Sequence, residues 1–156
     1  MSGTPDLVRL ELKTGTVTIE LLPELAPNHV QRIKELVQEH FYDGLAFHRV
    51  IPGFMAQTGD PTGTGGGKSS KPNLKAEFSK VPHRRGVCSM ARANDPNSAN
   101  SQFFICLDDA PWLDGQYSVW GHVIDGMEHV DAIKKGVPGN NGVVPDPDRI
   151  IRMILP

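Results

Sequence analysis

The chain opens with two stretches in which apolar and polar residues alternate. Val8, Leu10 and Leu12 alternate with charged residues, the pattern breaks at residues 14–15, and a second alternating run follows. A period of two residues places the apolar side chains on one face of a strand. Residues 7–22 are therefore predicted to form a β-hairpin with one buried face.

The period lengthens to that of a helix after Pro23. Apolar residues then recur along one helical face, at Ala26, Val30, Ile33, Val37 and Phe41. Pro27 suits the first turn of a helix, where its missing N–H would have no partner. We predict a helix that begins near Pro27 and ends at the Asp43-Gly44 pair.

The rest of the chain reads mainly as short strands. Strand-like runs occupy residues 45–51, 54–58, 87–91, 102–107, 119–124 and 149–155. Residues 59–84 form a polar, glycine-rich excursion between them. A second helix is predicted over residues 127–135, where apolar residues share one face and Gly136 follows.

About eight strands and two helices define the predicted fold class. The strands do not alternate regularly with helices, so a parallel sheet is disfavoured. We predict a mainly β fold, a closed eight-stranded antiparallel β-barrel capped by two α-helices, because closure would protect both sheet edges. A β-sandwich is the alternative. A length of 156 residues indicates one domain, spanning residues 1–156.

Composition and charge exclude several functional classes. The 16 Gly and 13 Pro of the chain suggest many turns between short elements. Its formal net charge is −2, so binding to nucleic acid through bulk positive charge is not expected. No apolar run approaches the roughly 18 residues of a membrane span, and the first residues do not resemble a secretory signal. Cys88 and Cys106 form no CxxC pair and are expected to be buried thiols of a cytoplasmic protein.

Residues 63–69 superficially resemble a phosphate-binding loop. The motif requires Gly, four residues, and then Gly-Lys followed by Ser or Thr, and this stretch is one residue short when counted from Gly63. Pro72 also falls where the following helix would have to grow. We interpret this stretch as a flexible surface loop and reject nucleotide binding.

Other catalytic classes leave no signature in the sequence. The six histidines show neither HxH nor HxxxH spacing, and no GxSxG motif is present. No metal site and no cofactor are therefore expected. The acidic residues late in the chain are expected to form turns.

Two strand-like runs instead suggest an apolar cup rimmed by polar groups. Alternation places Met55 and Gln57 on one face of their strand, and Gln102 and Phe104 on one face of theirs. These apolar residues could simply belong to an ordinary core. Arg49 argues against that interpretation, because burial of an unpaired charge is costly.

Four longer strings give the chain a family resemblance. FHRVIPGFMAQTGD (47–60), SMARA (89–93), NSQFFICL (100–107) and WLDGQYSVWGHV (112–123) resemble a cyclophilin, and especially the small bacterial, cytoplasmic members of that family of peptidyl-prolyl cis-trans isomerases. The similarity covers essentially the whole chain in order. It implies a closed eight-stranded barrel capped by two helices, which agrees with the element count.

The resemblance also implies a role for each site residue. Arg49 matches the catalytic arginine, and the proline pocket is matched by Phe54, Met55, Phe104 and Leu113. Gln57 and Gln102 match amides that orient the arginine and contact the peptide. The shelf beside the residue preceding proline is matched by Ala91 and Ala93. Trp112 matches the indole that supports cyclosporin binding, and Gly65 and Gly66 lie near a glycine-rich loop beside the site.

Three positions depart from the common family pattern. Arg92 stands where many members have Asn, and because that residue contributes its backbone, catalysis should survive while a charged rim favours acidic peptides. Tyr117 replaces a His, which retains a ring to wall the pocket. Trp120 replaces a Phe and is expected in the core.

Three functional hypotheses follow from these patterns. The first is a monomeric, cytoplasmic isomerase that acts on Xaa-Pro bonds of peptides and proteins and assists folding. The second is a proline-peptide binding module of the same fold with incidental catalysis. The third is an assembly protein that uses the surface loop, for which deletion within residues 61–72 should abolish an interaction while sparing turnover.

Overall fold

Eight strands form one antiparallel sheet in the computed structural model of this chain, which describes residues 6–156. The strands are β1 (Leu7–Leu12), β2 (Gly15–Leu21), β3 (Arg49–Ile51), β4 (Met55–Thr58), β5 (Val87–Met90), β6 (Phe103–Cys106), β7 (Val119–Asp125) and β8 (Arg152–Ile154). Their order across the sheet is β3-β4-β6-β5-β7-β2-β1-β8. The helices are α1 (Pro27–Gln38), which packs against β7 and β8, and α2 (Met127–Asp131), which packs against β2.

The opening hairpin follows the predicted alternation. Leu10 lies opposite Val17, and Val8 lies opposite Ile19. All four side chains are buried, whereas Arg9 is exposed. The hairpin therefore presents a single apolar face to the interior of the curled sheet.

Both helices end earlier than their apolar patterns predict. α1 ends at Gln38 because His40 adopts a left-handed backbone with φ of 60° and the N–H of Phe41 bonds back to Leu36. The predicted continuation of this helix to residues 43–44 is wrong. α2 ends at Asp131, so its predicted extension to 135 is also wrong. There the N–H of Lys134 donates to the Asp148 carboxylate instead of to a helical carbonyl.

The prediction of a closed barrel is wrong, because the sheet is open between β3 and β8. Each of these edge strands has only three residues, and neither pairs with the other. Residues 142–150 lie across the gap and make irregular contacts, such as the Val50 N–H donating to the Gly142 carbonyl. Pro145 and Pro147 interrupt this segment, and since proline has no N–H it cannot extend a ladder. The result is a curled half-barrel.

The sheet has an apolar cluster on each face. Inward-facing residues such as Phe103, Ile105 and Trp120 are fully buried in the larger cluster. Trp120 is thus a core residue, as predicted. Alternate residues of β4 and β6, Met55 and Phe104 among them, belong to a smaller cluster on the opposite face. This outer cluster supports the candidate site.

Candidate active site

Arg49 is held at the edge of the outer cluster by neutral oxygen atoms. Its Nε donates to the carbonyl oxygen of Asn141 at 2.9 Å, and its Nη2 donates to Oδ1 of the same residue at 3.1 Å. Nη1 donates to Oε1 of Gln57 at 3.2 Å. Because a guanidinium has five N–H groups, one on each terminal nitrogen is left to meet a ligand.

A chain of amides continues from Arg49 to the glycine-rich loop. Gln57 donates from Nε2 to Oε1 of Gln102 at 2.9 Å, and Gln102 donates in turn to the carbonyls of Gly65 and Gly67 at 3.0 and 2.8 Å. Each amide accepts at its oxygen and donates from its nitrogen, so the chain fixes the orientation of both. The predicted association of Arg49 with these two amides is thus present as geometry.

A hollow of about 110 Å³ lies beside Arg49 on the outer face of the sheet. β4 contributes its floor through Met55, and β6 contributes Phe104, since both strands turn these residues away from the interior. The remaining lining residues are Arg49, Phe54, Gln57, Ala91, Arg92, Leu113 and Tyr117. Nine of the residues singled out from the sequence therefore surround one cavity.

A larger groove of about 340 Å³ adjoins the hollow. The two cavities share Gln57, Ala91 and Arg92 as lining residues. Ala93, Gln102 and the loop glycines line the groove but not the hollow. An extended peptide could therefore occupy both cavities at once.

Trp112 stands apart from both cavities. It follows Pro111 in a short 3₁₀ turn whose last residue, Leu113, faces the hollow. The indole is 62% exposed and packs against the ring of Phe54, with centroids 5.4 Å apart. It extends the apolar surface beside the hollow.

Arg92 binds neighbouring backbone carbonyls and an aromatic ring. The guanidinium donates to the carbonyl oxygens of Gln116, Ala93 and Asn94. Its central carbon lies 4.8 Å from the centroid of the Tyr117 ring, within the range of a cation–π contact. Arg92, which lines both cavities, thereby holds Tyr117 in place at the wall of the hollow.

Asn141 and His83 are site-related residues that the sequence patterns did not reveal. Asn141 is distant from Arg49 in the chain, and its local sequence signal is the Asn141-Gly142 pair, which is typical of a turn. Its backbone is left-handed, with φ of 57°. His83 is buried behind the hollow, where its Nδ1 faces the Asp114 carboxylate at 3.2 Å and its Nε2 faces the Ser89 hydroxyl at 2.7 Å. Burial lowers the pKa of His83, so the ring is neutral at pH 7.

The glycine-rich loop folds around the carboxylate of Asp60. Asp60 accepts hydrogen bonds from the N–H and hydroxyl of Thr62, both at 2.7 Å, and from the N–H of Gly65 at 2.6 Å. Although burial alone would raise the pKa of Asp60, these bonds and one from Gly67 lower it to about 2. The N–H groups that could bind a phosphate are thus occupied, which agrees with the rejection of nucleotide binding. These hydrogen bonds to Asp60 do not support the predicted flexibility of the loop.

The part of the chain that the structure describes offers two further negative observations. Residues 6–156 contain no group of three or more His, Cys, Asp or Glu side chains arranged to hold a metal ion. Within the same range, no helix is long and apolar enough to cross a membrane. What the site offers chemically is a fixed cation, oriented amides and an apolar hollow.

Comparison with known proteins identifies the family. The family model described as cyclophilin type peptidyl-prolyl cis-trans isomerase/CLD matches residues 7–154. The chain belongs to the cyclophilin family. Cyclophilins of this type are isomerases, and the resemblance noted in the sequence is confirmed.

Relatives of this cyclophilin carry the same enzymatic name. The protein named "Probable peptidyl-prolyl cis-trans isomerase" of Brucella suis is 56% identical over 161 residues, covering 95% of this chain and 81% of the relative. "Peptidyl-prolyl cis-trans isomerase-like 3" of Mus musculus is 45% identical over 132 residues, covering 82% and 81% of the two chains. The chain is therefore an enzyme with peptidyl-prolyl cis-trans isomerase activity.

Solved cyclophilin structures share the half-barrel. A cyclophilin-type isomerase of Cryptosporidium parvum superposes with a TM-score of 0.90 at 30% identity, covering 98% of both chains. A structure of the same Cryptosporidium protein in the presence of the dipeptide Ala-Pro gives a TM-score of 0.88 at 31% identity, covering 96% of this chain and 98% of the other. The eight-stranded cyclophilin-like fold with two helices is thereby confirmed, although it is open.

Proposed function

We propose that Arg49 catalyses rotation about Xaa-Pro bonds by donating a hydrogen bond to the proline nitrogen as the bond twists. The observation that supports this most is the placement of Arg49 at the rim of the hollow, fixed by Asn141 and Gln57 with two N–H groups to spare. In the planar ground state the nitrogen lone pair is delocalised and is a poor acceptor. In the twisted state it is localised, so Arg49 binds the transition state preferentially.

Energetics show how much the rest of the site must contribute. The rotation barrier of ~20 kcal/mol corresponds to about 10⁻² s⁻¹, and a rate of about 10³ s⁻¹ requires roughly 7 kcal/mol of selective stabilisation. A charge-assisted hydrogen bond supplies about 1.5–3 kcal/mol. The remainder is assigned to oriented donors and to a hollow that excludes water. No nucleophile or general base is needed, because no covalent bond is made or broken.

Each remaining site residue has a proposed part in substrate binding. The proline ring enters the hollow between Phe54, Met55, Phe104 and Leu113, with Tyr117 and Arg92 as a further wall. Gln57 and Gln102 contact the peptide backbone. Ala91 and Ala93 support the residue before proline. The Ala-Pro dipeptide named with the Cryptosporidium structure supports proline-containing ligands for this chain as well.

The cellular role that we propose is assistance to folding through isomerisation of proline-containing peptides and proteins. We propose that the protein works as a cytoplasmic, single-domain monomer without a cofactor. Its two cysteines are free and buried, and they belong to apolar clusters on opposite faces of the sheet. A reducing compartment suits such thiols.

Substitution of Arg49 tests the mechanism. Arg49→Ala is expected to lower the isomerisation rate of an Xaa-Pro peptide by at least about a hundredfold, roughly 2.7 kcal/mol, because the guanidinium proposed to donate to the nitrogen is lost. Cis/trans exchange spectroscopy on a short Ala-Pro peptide gives the rate, and Arg149→Ala serves as a control that removes an exposed arginine elsewhere. Equal rates for Arg49→Ala and the wild type would show that the proposed mechanism is wrong.

Cyclosporin is a second ligand that we propose, on the strength of the exposed Trp112 beside Phe54. Titration with the drug is expected to change tryptophan fluorescence at micromolar concentration, because the indole would leave water. Trp112→Phe is the control, since Trp120 is buried in the core and would still emit. An unchanged spectrum of the wild-type protein would refute this proposal.

A further inference from the structure

The larger groove beside the hollow is polar, and the charges on its lining are positive. Its lining side chains are amides, hydroxyls, alanines and two cations, Lys68 and Arg92. None of the described residues that line it is Asp or Glu. The chain as a whole carries a net charge of −2, so this local excess of positive charge is opposite in sign to that of the molecule.

Arg92 contributes a positive charge that is fixed in position. Its N–H groups donate to the carbonyls of Gln116, Ala93 and Asn94, and its face lies over Tyr117. These partners are neutral, so they orient the guanidinium without compensating its charge. The charge therefore stays at the boundary between the groove and the hollow.

Lys68 contributes a positive charge that can move. Its side chain is exposed, and its ammonium contacts the neutral amide oxygen of Asn73 at 3.3 Å. The carboxylate of Asp60 lies under the same loop, where it is buried and accepts hydrogen bonds from Thr62 and Gly65, and it does not line the groove. The ammonium can therefore exchange its amide partner for an anion in the groove.

We propose that this groove selects substrates with an acidic side chain two or three residues before the proline. The inference rests on the proposed function, which places the residue preceding proline along Ala91 and Ala93. Because both alanines also line the groove, the peptide continues into it in the N-terminal direction. A Glu or Asp side chain there meets the ammonium of Lys68 in the field of Arg92.

The expected preference is modest and depends on salt. Contacts between partly exposed charges are weak, so a Glu in place of a Gln at the favoured position should raise kcat/KM by about three- to five-fold at low ionic strength. Screening shortens the range of the attraction, so the ratio should approach one at about 0.5 M salt.

Matched peptides with neutral ends test the proposal. Pairs of acetylated and amidated peptides carry Glu or Gln either two or three residues before an Ala-Pro bond. The Glu/Gln ratio of kcat/KM is measured by cis/trans exchange. A ratio above two at either position, lost at high salt, is the expected result. A ratio of one or below at both positions overturns the proposal.

Two variants with the same change of net charge separate a groove effect from a general one. Lys68→Gln is expected to bring the ratio toward one, whereas Arg9→Gln, on the far strand β1, should leave it unchanged. An equal effect of both variants would show that the whole-molecule charge is responsible, and the groove assignment would fail. Failure of the proposed function would look different, since Arg49→Ala would then isomerise the Gln peptides as fast as the wild type does.

Discussion

Asn141 restrains Arg49 at two points, through its carbonyl and through its amide oxygen. Its backbone is left-handed, with φ of 57°, a conformation that glycine adopts freely. The two restraints can therefore be separated, because Asn141→Gly removes the amide oxygen and leaves the backbone carbonyl in place. Asn141 does not need to touch the substrate to affect catalysis.

Asn141→Gly is expected to lower kcat by about five-fold while KM changes little. One hydrogen bond that orients the guanidinium, worth about 1 kcal/mol, would be lost. Exchange kinetics over a range of peptide concentrations give both constants. Asn140→Ala, at the exposed neighbouring position, is the control and should behave as wild type. A wild-type kcat in Asn141→Gly would show that the side chain is dispensable for orientation.

Strand alternation drew attention to Met55, Gln57 and Phe104, whereas Leu113 and Tyr117, which lie outside the strands, were found only through the family resemblance. Alternation places Met55 and Gln57 on one face of β4, as it does for any strand, and the pairing of β4 with β6 brings Phe104 to the same face. Asn141 was missed because its contact with Arg49 spans 92 positions along the chain, and no local period records such a distance. The Arg92 contacts with Gln116 and Tyr117 were missed for the same reason.

At the scale of elements, the start of α1 depends on a side chain from the excursion. Ala26, at the N-cap, has no side-chain acceptor, and Glu77 takes that role from outside the helix. Its carboxylate accepts from the N–H of His29 at 2.9 Å and from the N–H of Asn28 at 3.3 Å. The negative charge of the carboxylate near the N-terminus of α1 also interacts favourably with the positive end of the helix dipole.

Glu77→Ala is therefore expected to reduce the free energy of unfolding by about 1–2 kcal/mol, as for the loss of an N-cap. Urea unfolding followed by circular dichroism measures the change. Glu24→Ala removes an exposed carboxylate before the same helix and should cost much less. If both variants unfold at the same urea concentration, Glu77 does not cap the helix.

Element boundaries were less predictable than the elements themselves. The type and order of every predicted strand and helix were correct, because each rests on a local hydrophobic period. The ends depend on distant partners. Asp148 takes the N–H that would have extended α2, and no pattern around residues 127–135 could reveal this.

At the scale of the whole molecule, three buried histidines connect stability to pH. Burial lowers the pKa of His29, His48 and His83. In the unfolded chain each is expected to titrate near 6.5. Between the two values the unfolded state binds more protons, so the free energy of unfolding rises with pH in this range.

Full histidine-dependent stability is thus expected above about pH 6.5, with a loss as the pH falls below it. Each proton taken up on unfolding costs about 1.4 kcal/mol per pH unit. Urea unfolding at pH 7.5 and pH 5.5 compares the two conditions, and His83→Gln should flatten the dependence. Equal free energies of unfolding at the two pH values would contradict this prediction.

The global arrangement was predictable only in part. Counting strands gave eight and their antiparallel pairing, but closure of the barrel was an inference from the general need to protect sheet edges. The chain protects β3 differently. A segment interrupted by Pro145 and Pro147 lies beside it, and strand counting cannot distinguish this irregular cover from an eighth strand pairing that would close the barrel.

That cover has a consequence for a protein that handles extended chains. An uncovered strand edge can bind an extended polypeptide as an additional strand, which a row of backbone hydrogen bonds would then retain. Gly142 and Val143 already occupy the hydrogen-bonding positions next to β3, and the prolines that follow have no N–H to donate to an added strand. A peptide bound at the active face is therefore not also retained by backbone hydrogen bonds along β3, and its release does not require that such bonds break.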